Sequence, residues 1–271
     1  MSRPVALVTG ASRGIGRATA IVLAGRGWDV AFTARTAKEG TGTVPARHAD
    51  HVVPVPGSLE STASAVTEAG ARALPIEMDL LDLDSVRGAA DTVLQVWGRV
   101  DLLVNNAIAH VAGGHERVLA QDLAVASQLM TGNYLHQLAL IQSLLPTMLD
   151  RGAGTIVNMA SGSATSDPPA PPDEGGWSLA YAASKAAVGR IAGSVNAEFG
   201  RRGIRCFNVD PGFVVTDAMR ARGGAEDIEA QGFDLAPEDA AGRVIAWLAS
   251  DPAADSFLGK VIWSPLLAAK L

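Results

Sequence analysis

Val5-Ala6-Leu7-Val8-Thr9-Gly10-Ala11-Ser12-Arg13-Gly14-Ile15-Gly16 is an unbroken apolar run that gives way to closely spaced glycines. Beyond it, Ala18, Ile21, Val22 and Leu23 fall at helical spacing as far as Gly25 and Gly27. The stretch reads as strand, tight turn, helix. Such a turn aims backbone N–H groups and the positive end of a helix dipole at an anion, and its glycines let a pyrophosphate come close to the chain. The spacing is Thr-Gly-x-x-x-Gly-x-Gly rather than Gly-x-Gly-x-x-Gly. An ordinary strand-to-helix connection would also accept this sequence, so the rest of the chain has to decide.

Working outward, apolar runs alternate with amphipathic ones. Strands are expected at 5–9, 29–34, 73–78, 100–105, 154–160, 204–209 and 258–263, and helices at 15–25, 58–69, 83–97, 121–150, 178–201 and 237–250. Continuous apolar strands joined by helices imply right-handed crossovers and a parallel sheet covered on both faces. The expected fold is therefore α/β: a Rossmann-type, doubly wound domain with a mostly parallel seven-stranded sheet, spanning residues 1–271 as one unit. A sheet of this kind binds ligands beyond the carboxyl ends of its strands. Gly10, Arg35, Asp79, Asn106, Ser161 and Pro211 all follow or end an expected strand.

Composition fits that picture. The chain has 271 residues, 48% of them hydrophobic, which suffices for one substantial core. A formal charge of -6 with scattered Lys and Arg gives no basic footprint for nucleic acid. Cys206 is the only cysteine, so no intrachain disulfide can form. It lies in the apolar run 204–209 and reads as a core residue. No signal-like segment precedes the first strand and no apolar run reaches membrane-spanning length, so a cytoplasmic protein with no membrane partner is expected.

Tyr181-Ala-Ala-Ser-Lys185 sets a phenol and an ammonium one helical turn apart. A nearby positive charge favours the phenolate, so Lys185 is expected to bring the Tyr181 proton toward a working pH. Tyr and Lys also meet at this spacing on exposed helix faces, and the pair alone does not distinguish the two cases.

Taken in order, Thr9-Gly10-Ala11-Ser12-Arg13-Gly14-Ile15-Gly16, Asp79-Leu80, Asn105-Asn106-Ala107, Asn133, Ser161, Tyr181 with Lys185, and Pro211-Gly212 followed by Thr216 resemble the short-chain dehydrogenase/reductase family over nearly the whole chain. The resemblance implies a catalytic set of Asn133, Ser161, Tyr181 and Lys185. Tyr181 would be the general acid/base for a carbonyl or secondary alcohol, and Ser161 would orient the carbonyl oxygen. Lys185 would tune the phenol and bind the nicotinamide ribose, and Asn133 would hold a water linking the lysine to solvent. It further implies a cofactor site of Gly10, Ser12, Arg13, Gly14, Ile15, Gly16, Arg35, Asp79, Leu80, Asn106, Tyr181, Lys185, Val214 and Thr216, with Asp79 accepting from the adenine amino group, Asn106 along the ribose, and Val214 and Thr216 at the nicotinamide end. Asp79 could equally be a turn residue, and Asn133, whose surroundings depart from the family pattern, a helix-interior residue without a role. Family members commonly form homotetramers or homodimers.

Charge argues for the choice of cofactor. NAD-preferring sites place an acid at the end of the second strand, where it would repel a 2′-phosphate. Here the strand ends Phe32-Thr33-Ala34-Arg35, with Ala34 at the acidic position, and Arg13 lies in the glycine turn. Two guanidinium groups suit a phosphate, so NADP(H) is expected over NAD. The other reading leaves both arginines merely solvated.

Three stretches depart from the family pattern. Residues 167–177, rich in proline and ending at Trp177, lengthen the path from Ser161 to Tyr181 and form either a wall of the substrate pocket or a surface excursion. Residues 36–59 are a second extension with His48 and His51, read as solvated because no ligand cluster accompanies them; no metal is assigned. This extension gives a looser likeness to hydroxysteroid-dehydrogenase-like proteins. The tail 264–271 replaces the usual acid-glycine-glycine ending and either packs at a subunit interface or covers the sheet edge. Residues 213–235 would form a mobile substrate cap hinged at Gly223-Gly224. A non-catalytic NADP-binding regulator on the same fold is the main rival, and the complete Ser161, Tyr181 and Lys185 set argues against it. A methyltransferase use of the same fold is opposed by Arg13 and Arg35.

Overall fold

The computed structural model describes residues 3–46, 51–223, 232 and 234–271. In chain order it runs β1 (Val5–Thr9), α1 (Gly14–Gly25), β2 (Asp29–Ala34), β3 (Thr43–Pro45), β4 (Val52–Pro54), α2 (Leu59–Glu68), β5 (Ala73–Glu77), α3 (Leu83–Trp97) and β6 (Leu102–Asn105). It continues with α4 (Leu123–Met130), α5 (Gln137–Arg151), β7 (Gly154–Met159), α6 (Leu179–Phe199), β8 (Ile204–Asp210), α7 (Asp217–Arg222), α8 (Ala240–Ser250), β9 (Val261–Trp263) and α9 (Ser264–Ala268). Seven strands form one sheet in the order β5-β2-β1-β6-β7-β8-β9, and every neighbouring pair is parallel. The expected fold class is observed. Strand order reverses between β1 and β6, and a crevice opens there beyond the carboxyl ends.

The sheet is buried on both faces because alternate residues of each strand feed two separate cores. Ala6, Val8, Phe32, Val104, Val157 and Phe207 pack with Leu23, Val244 and Ile245 on the face of α1 and α8. Val5, Leu7, Ala31, Leu103, Ile156 and Cys206 pack with Leu140, Leu144, Val188 and Ile191 on the face of α3, α5 and α6. Each fully buried Leu, Ile or Phe contributes about 1.5–3 kcal/mol relative to exposure. Cys206 is the core residue expected; burial pushes its thiol up to about 12.

Polar side chains interrupt these strands along one line. Asn105, Asn158 and Asn208 stand opposite one another in register on β6, β7 and β8. Asn105 Nδ2 donates to Asn158 Oδ1 at 3.0 Å, Asn158 Nδ2 reaches Asn208 Oδ1 and Cys206 Sγ at 3.5 Å, and Asn208 Nδ2 donates to the Gly189 carbonyl at 2.7 Å.

Three elements differ from the sequence expectation. The helix expected over 121–150 is two helices, α4 and α5, joined by a π-type turn at Thr131–His136. At Gly132 a Cβ would lie 2.7 Å from that of Ala109, and Asn133 turns its amide out of the helix, so the widened turn brings the backbone against the β6 exit. The extension 36–59 carries an antiparallel ribbon, β3 with β4, pairing Val44 with Val53. Its three-residue strands are too short to show a period in the sequence. Of its histidines, His51 is exposed and His48 lies outside the described residues. The last strand is confined to Val261–Trp263 and leads directly into α9. Ser264 and Ala268 of that tail are buried, and Pro265 is so close to Gly212 that a Cβ there would lie 2.7 Å from its ring.

Candidate active site

The strand ends open on a cavity of about 490 Å³ whose wall includes Gly10, Ser12, Arg13, Gly14, Ile15, Gly16, Arg35, Leu80, Asn106, Ser161, Tyr181, Lys185, Val214 and Thr216. Fourteen positions named from the sequence thus meet in one place. Asn133 and Asp79 lie outside this wall, and each has a local explanation given below.

At the β1 exit, Gly10 has φ +68° and a Cβ there would sit 2.8 Å from Ala107 Cα. At Gly16 a Cβ would run into the Gly10 carbonyl. Asn106 closes the turn by donating from Nδ2 to the Thr9 and Gly10 carbonyls at 2.8 and 3.2 Å. Thr9 Oγ1 accepts from the N–H groups of Asn106 and Ala107 at 3.0 and 2.9 Å. The α1 N-terminus has neither a side-chain cap nor an acid in its first turn. Its orphan N–H groups face the cavity, a donor set that fits a pyrophosphate.

The adjoining cations are held differently. Arg13 donates from Nε to the Pro56 carbonyl at 2.7 Å and from Nη2 to the Gly57 carbonyl at 2.8 Å and Thr36 Oγ1 at 3.1 Å. Burial, then Arg35, lowers its pKa from the ordinary guanidinium value. Arg35 is exposed at the end of β2. A third arginine, Arg222 of α7, donates from Nε to the Pro45 carbonyl at 2.9 Å and meets His110 Nδ1 at 2.8 Å. Burial, then Arg222, pushes His110 down to about 3, so its ring is neutral and accepts from the guanidinium. Asp79 turns Oδ1 onto the Leu81 N–H at 2.9 Å, an Asx-type turn, and the cavity wall beside it is Met78 and Leu80. Of the expected cap, Thr216 is the N-cap of α7, its Oγ1 accepting from the Met219 N–H at 3.3 Å. Gly223 has φ +77°; Gly224, Glu226, Asp227, Ile228 and Phe233 lie outside the described residues.

On the opposite wall, α6 starts at Ser178, whose hydroxyl accepts from the Tyr181 N–H at 3.3 Å and donates to the Gly114 carbonyl at 2.7 Å. This cap sets the helix so that Tyr181 and Lys185 share its cavity face. The Tyr181 hydroxyl is hydrogen-bonded by Ser161 and Ser163, and Ser163 Oγ lies 2.9 Å from Ser161 Oγ. Lys185, 6% exposed, donates from Nζ to the Met159 carbonyl at 2.8 Å, and burial holds its ammonium down at about 8.

The expectation that Lys185 lowers the Tyr181 pKa is corrected here. The phenol is raised above its ordinary value by burial, which outweighs the opposing effect of Ser161; Asp210 adds a smaller rise and Ser163 a smaller drop. The lysine points instead at the end of β7. Asn133, 1% exposed, accepts at Oδ1 from the Ala109 N–H at 2.8 Å and donates from Nδ2 to Ser184 Oγ at 3.0 Å, which in turn donates to the Tyr181 carbonyl at 2.8 Å. It therefore ties the β6 exit to the helix carrying Tyr181 and Lys185, behind the cavity rather than in its wall.

Trp177 lines the cavity, as one of its two sequence readings had it, and Arg117 holds the preceding loop through Asp173 and Glu174. The sequence reading missed His110, His115, Ser163, Asp210 and Arg222, all of them in the wall. Asp210 had a usable signal, standing directly before Pro211-Gly212; the histidines had none, because a loop position after Asn106 has no periodicity to read. Among the described residues no cluster of His, Cys, Asp and Glu could hold a metal ion and no helix is long and apolar enough to cross a membrane.

Comparison with known proteins agrees with this geometry. The family model described as short chain dehydrogenase matches residues 4–57 and 46–227. The chain is 33% identical over 265 residues to a 3-oxoacyl-[acyl-carrier-protein] reductase of Synechocystis, covering 96% of this chain and 94% of that one. It is 32% identical over 261 residues to a cyclohexanol dehydrogenase of a Rhodococcus species, covering 91% and 89%. Among solved structures, a metagenomic short-chain oxidoreductase in complex with NADP superposes with a TM-score of 0.72 at 27% identity, over 97% of this chain and 96% of that one. Matching motifs, a matching sheet and full-length relatives together establish that the chain belongs to the short-chain dehydrogenase/reductase family and is an NAD(P)-dependent oxidoreductase.

Proposed function

We propose that the protein is an NADP(H)-preferring oxidoreductase that interconverts a carbonyl and a secondary alcohol, with Tyr181 as general acid/base. The observation that carries this reading is the meeting of Ser161, Tyr181 and Lys185 on the wall opposite an uncapped, glycine-lined helix N-terminus. The nicotinamide, when bound, supplies or accepts the hydride. Gly10 to Gly16 would hold the pyrophosphate, Asn106 and Lys185 the riboses, Val214 and Thr216 the nicotinamide end, and Leu80 with Asp79 the adenine. Arg35 and Arg13 would meet the 2′-phosphate. Ser161 would orient the carbonyl oxygen, and Tyr181 would deliver the proton that a developing alkoxide needs. Asn133 would order the helix and backbone around the lysine. Trp177 and the cap over 213–235 would close a moderately apolar substrate site. We also infer one domain over 1–271, a homotetramer or homodimer, and a cytoplasmic location.

A panel of carbonyls that includes cyclic ketones, β-keto thioesters and ketosteroids, assayed with NADPH beside Tyr181→Phe, tests the chemistry. Turnover by the unmodified protein that is lost in the variant is expected. NADPH binding without turnover of any carbonyl would favour the regulator reading, and equal activity of the variant would remove Tyr181 from its role. Titration of both cofactors tests the charge argument, which tighter binding of NADH than NADPH would defeat.

A further inference from the structure

A second cavity adjoins the first, between the proline-rich loop and the start of α6. Its wall is largely apolar and includes Val118, Pro168, Ala170, Leu179, Ala183 and Ala186. Among the described residues, Ser163 and Trp177 line both cavities. Ser163 Oγ lies 2.9 Å from Ser161 Oγ. Trp177 stands one residue before Ser178, whose hydroxyl accepts from the Tyr181 N–H at 3.3 Å. The partition between the cavities is therefore tied on one side to Ser161 and on the other to the helical turn that carries Tyr181.

The chain on either side of Trp177 is pinned. The Gly176 N–H donates to the Pro171 carbonyl at 3.0 Å, and a Cβ at Gly176 would run into the Ala170 carbonyl. Ser178 Oγ donates to the Gly114 carbonyl at 2.7 Å. Arg117 holds the loop through Asp173 at 2.8 Å and Glu174 at 2.7 Å. The indole takes no part in this bonding, since its Nε1 is buried and meets no acceptor among the described residues. A buried indole N–H usually has a partner. The ring at this position thus serves by its bulk, as a wall, and its removal strands no acceptor.

We propose that Trp177 sets the length of substrate that the site accepts. Its indole closes the catalytic cavity against the second one, so the unmodified protein takes compact carbonyl compounds, and a smaller side chain admits the apolar chain of a longer one. The proposal rests on the oxidoreductase reading above. Pockets for drug-sized ligands measure about 300–1,000 Å³. The catalytic cavity, at about 490 Å³, has to take a dinucleotide as well, which leaves little room beside Ser161 and Tyr181 for the group bearing the carbonyl. Beyond the indole lies apolar surface, on which each buried methylene tightens binding about fourfold.

The test uses straight-chain methyl ketones from butanone to methyl nonyl ketone, titrated by calorimetry into protein saturated with oxidised NADP, which has no hydride to give. In the unmodified protein the gain in affinity with chain length is expected to stop within the series. In Trp177→Ala it should continue, making methyl nonyl ketone bind at least about tenfold more tightly than to the unmodified protein, while butanone changes little. Trp177→Leu gives the same reading if Trp177→Ala does not fold, and Trp177→Phe, which keeps a ring, should follow the unmodified protein. Adding Ala183→Phe, at an exposed position in the wall of the second cavity, should remove the gain of Trp177→Ala and leave butanone as it was. The proposal is overturned if a folded Trp177→Ala or Trp177→Leu keeps the length profile of the unmodified protein, if Ala183→Phe leaves the gain intact, or if no member of the series binds to either protein. Turnover of compact ketones with an unchanged profile removes the role of Trp177 alone. Length-dependent binding without turnover of any carbonyl removes the chemistry instead.

Discussion

At the β7 and β8 end of the cleft, Ser161, Lys185 and Asp210 are held by short bonds within the sheet and the helix packed on it; at the β2 end, Arg13 and Arg35 stand between the glycine turn and an inserted ribbon. In the first region the groups are largely buried, and burial itself shifts Tyr181, Lys185 and Asp210. In the second, Arg35 is exposed and Arg13 is tied to carbonyls of the extension. Under the function proposed above, the catalytic end could change only by leaving buried groups unsatisfied, whereas the cofactor-selecting end could change by exchanging surface charge. On that reading, chemistry and cofactor preference would have different tolerance to substitution.

The sharpest test of the first region is Tyr181→Phe, which keeps the ring and its packing but removes the proton. A loss of about 10²- to 10⁴-fold in kcat is expected with NADPH binding retained, read by steady-state kinetics beside cofactor titration. In the second region, Arg35→Asp should weaken NADPH by about 10- to 100-fold, the worth of one charge-assisted contact, while leaving or improving NADH. If instead both cofactors weaken equally, the contrast between the two ends breaks down. Asn133→Ala should leave the Ala109 N–H without its acceptor and cost about 1–3 kcal/mol of stability, seen as a lower denaturant midpoint.

The Lys185 ammonium, held down at about 8, gives a milder signature. It stays charged below that pH and loses its proton above it, so activity that depends on the cation should decline as pH rises through about 8 in a kcat/KM profile. The sign for stability is opposite. Its folded pKa lies below the unfolded value, so the unfolded chain binds more protons between the two, and this group's penalty on folding is relieved as pH rises from about 8 toward the ordinary lysine value. Arg117→Ala, on the surface pair with Asp173 and Glu174, should leave the melting temperature unchanged and so provides the control.

The sheet, its parallel sense and the motif residues of the cavity wall could be read from the sequence because buried parallel strands are continuous apolar runs and motif residues follow their ends. Tyr181, Lys185 and Ser161 were legible for the same reason: they lie on or beside regular elements. The ribbon in 36–59 was not, because three-residue strands carry no period. The π-type turn at Asn133 was hidden because both flanking segments are good helices, and only packing against Ala109 requires the extra width. Nor did spacing reveal the direction of the Tyr181 shift, since adjacency on a helix says nothing of burial or of a carboxylate arriving from β8. His110, in the loop after β6, and Arg222, at the end of α7, meet from more than a hundred positions apart, which no local pattern records.

The row of Asn105, Asn158 and Asn208 has a consequence for folding. Parallel strands made of interchangeable Val, Leu and Ile can slide past one another with little loss, since an apolar side chain packs almost as well one step along. Moving β7 by a single residue would turn Asn158 to the opposite face, into Val and Leu packing with its amide unbonded, at a cost of about 1–3 kcal/mol for each stranded group. The three amides thus act as a vernier on the centre of the sheet, and the alignment they enforce is what brings the ends of β6, β7 and β8, each bearing part of the cleft, level with one another.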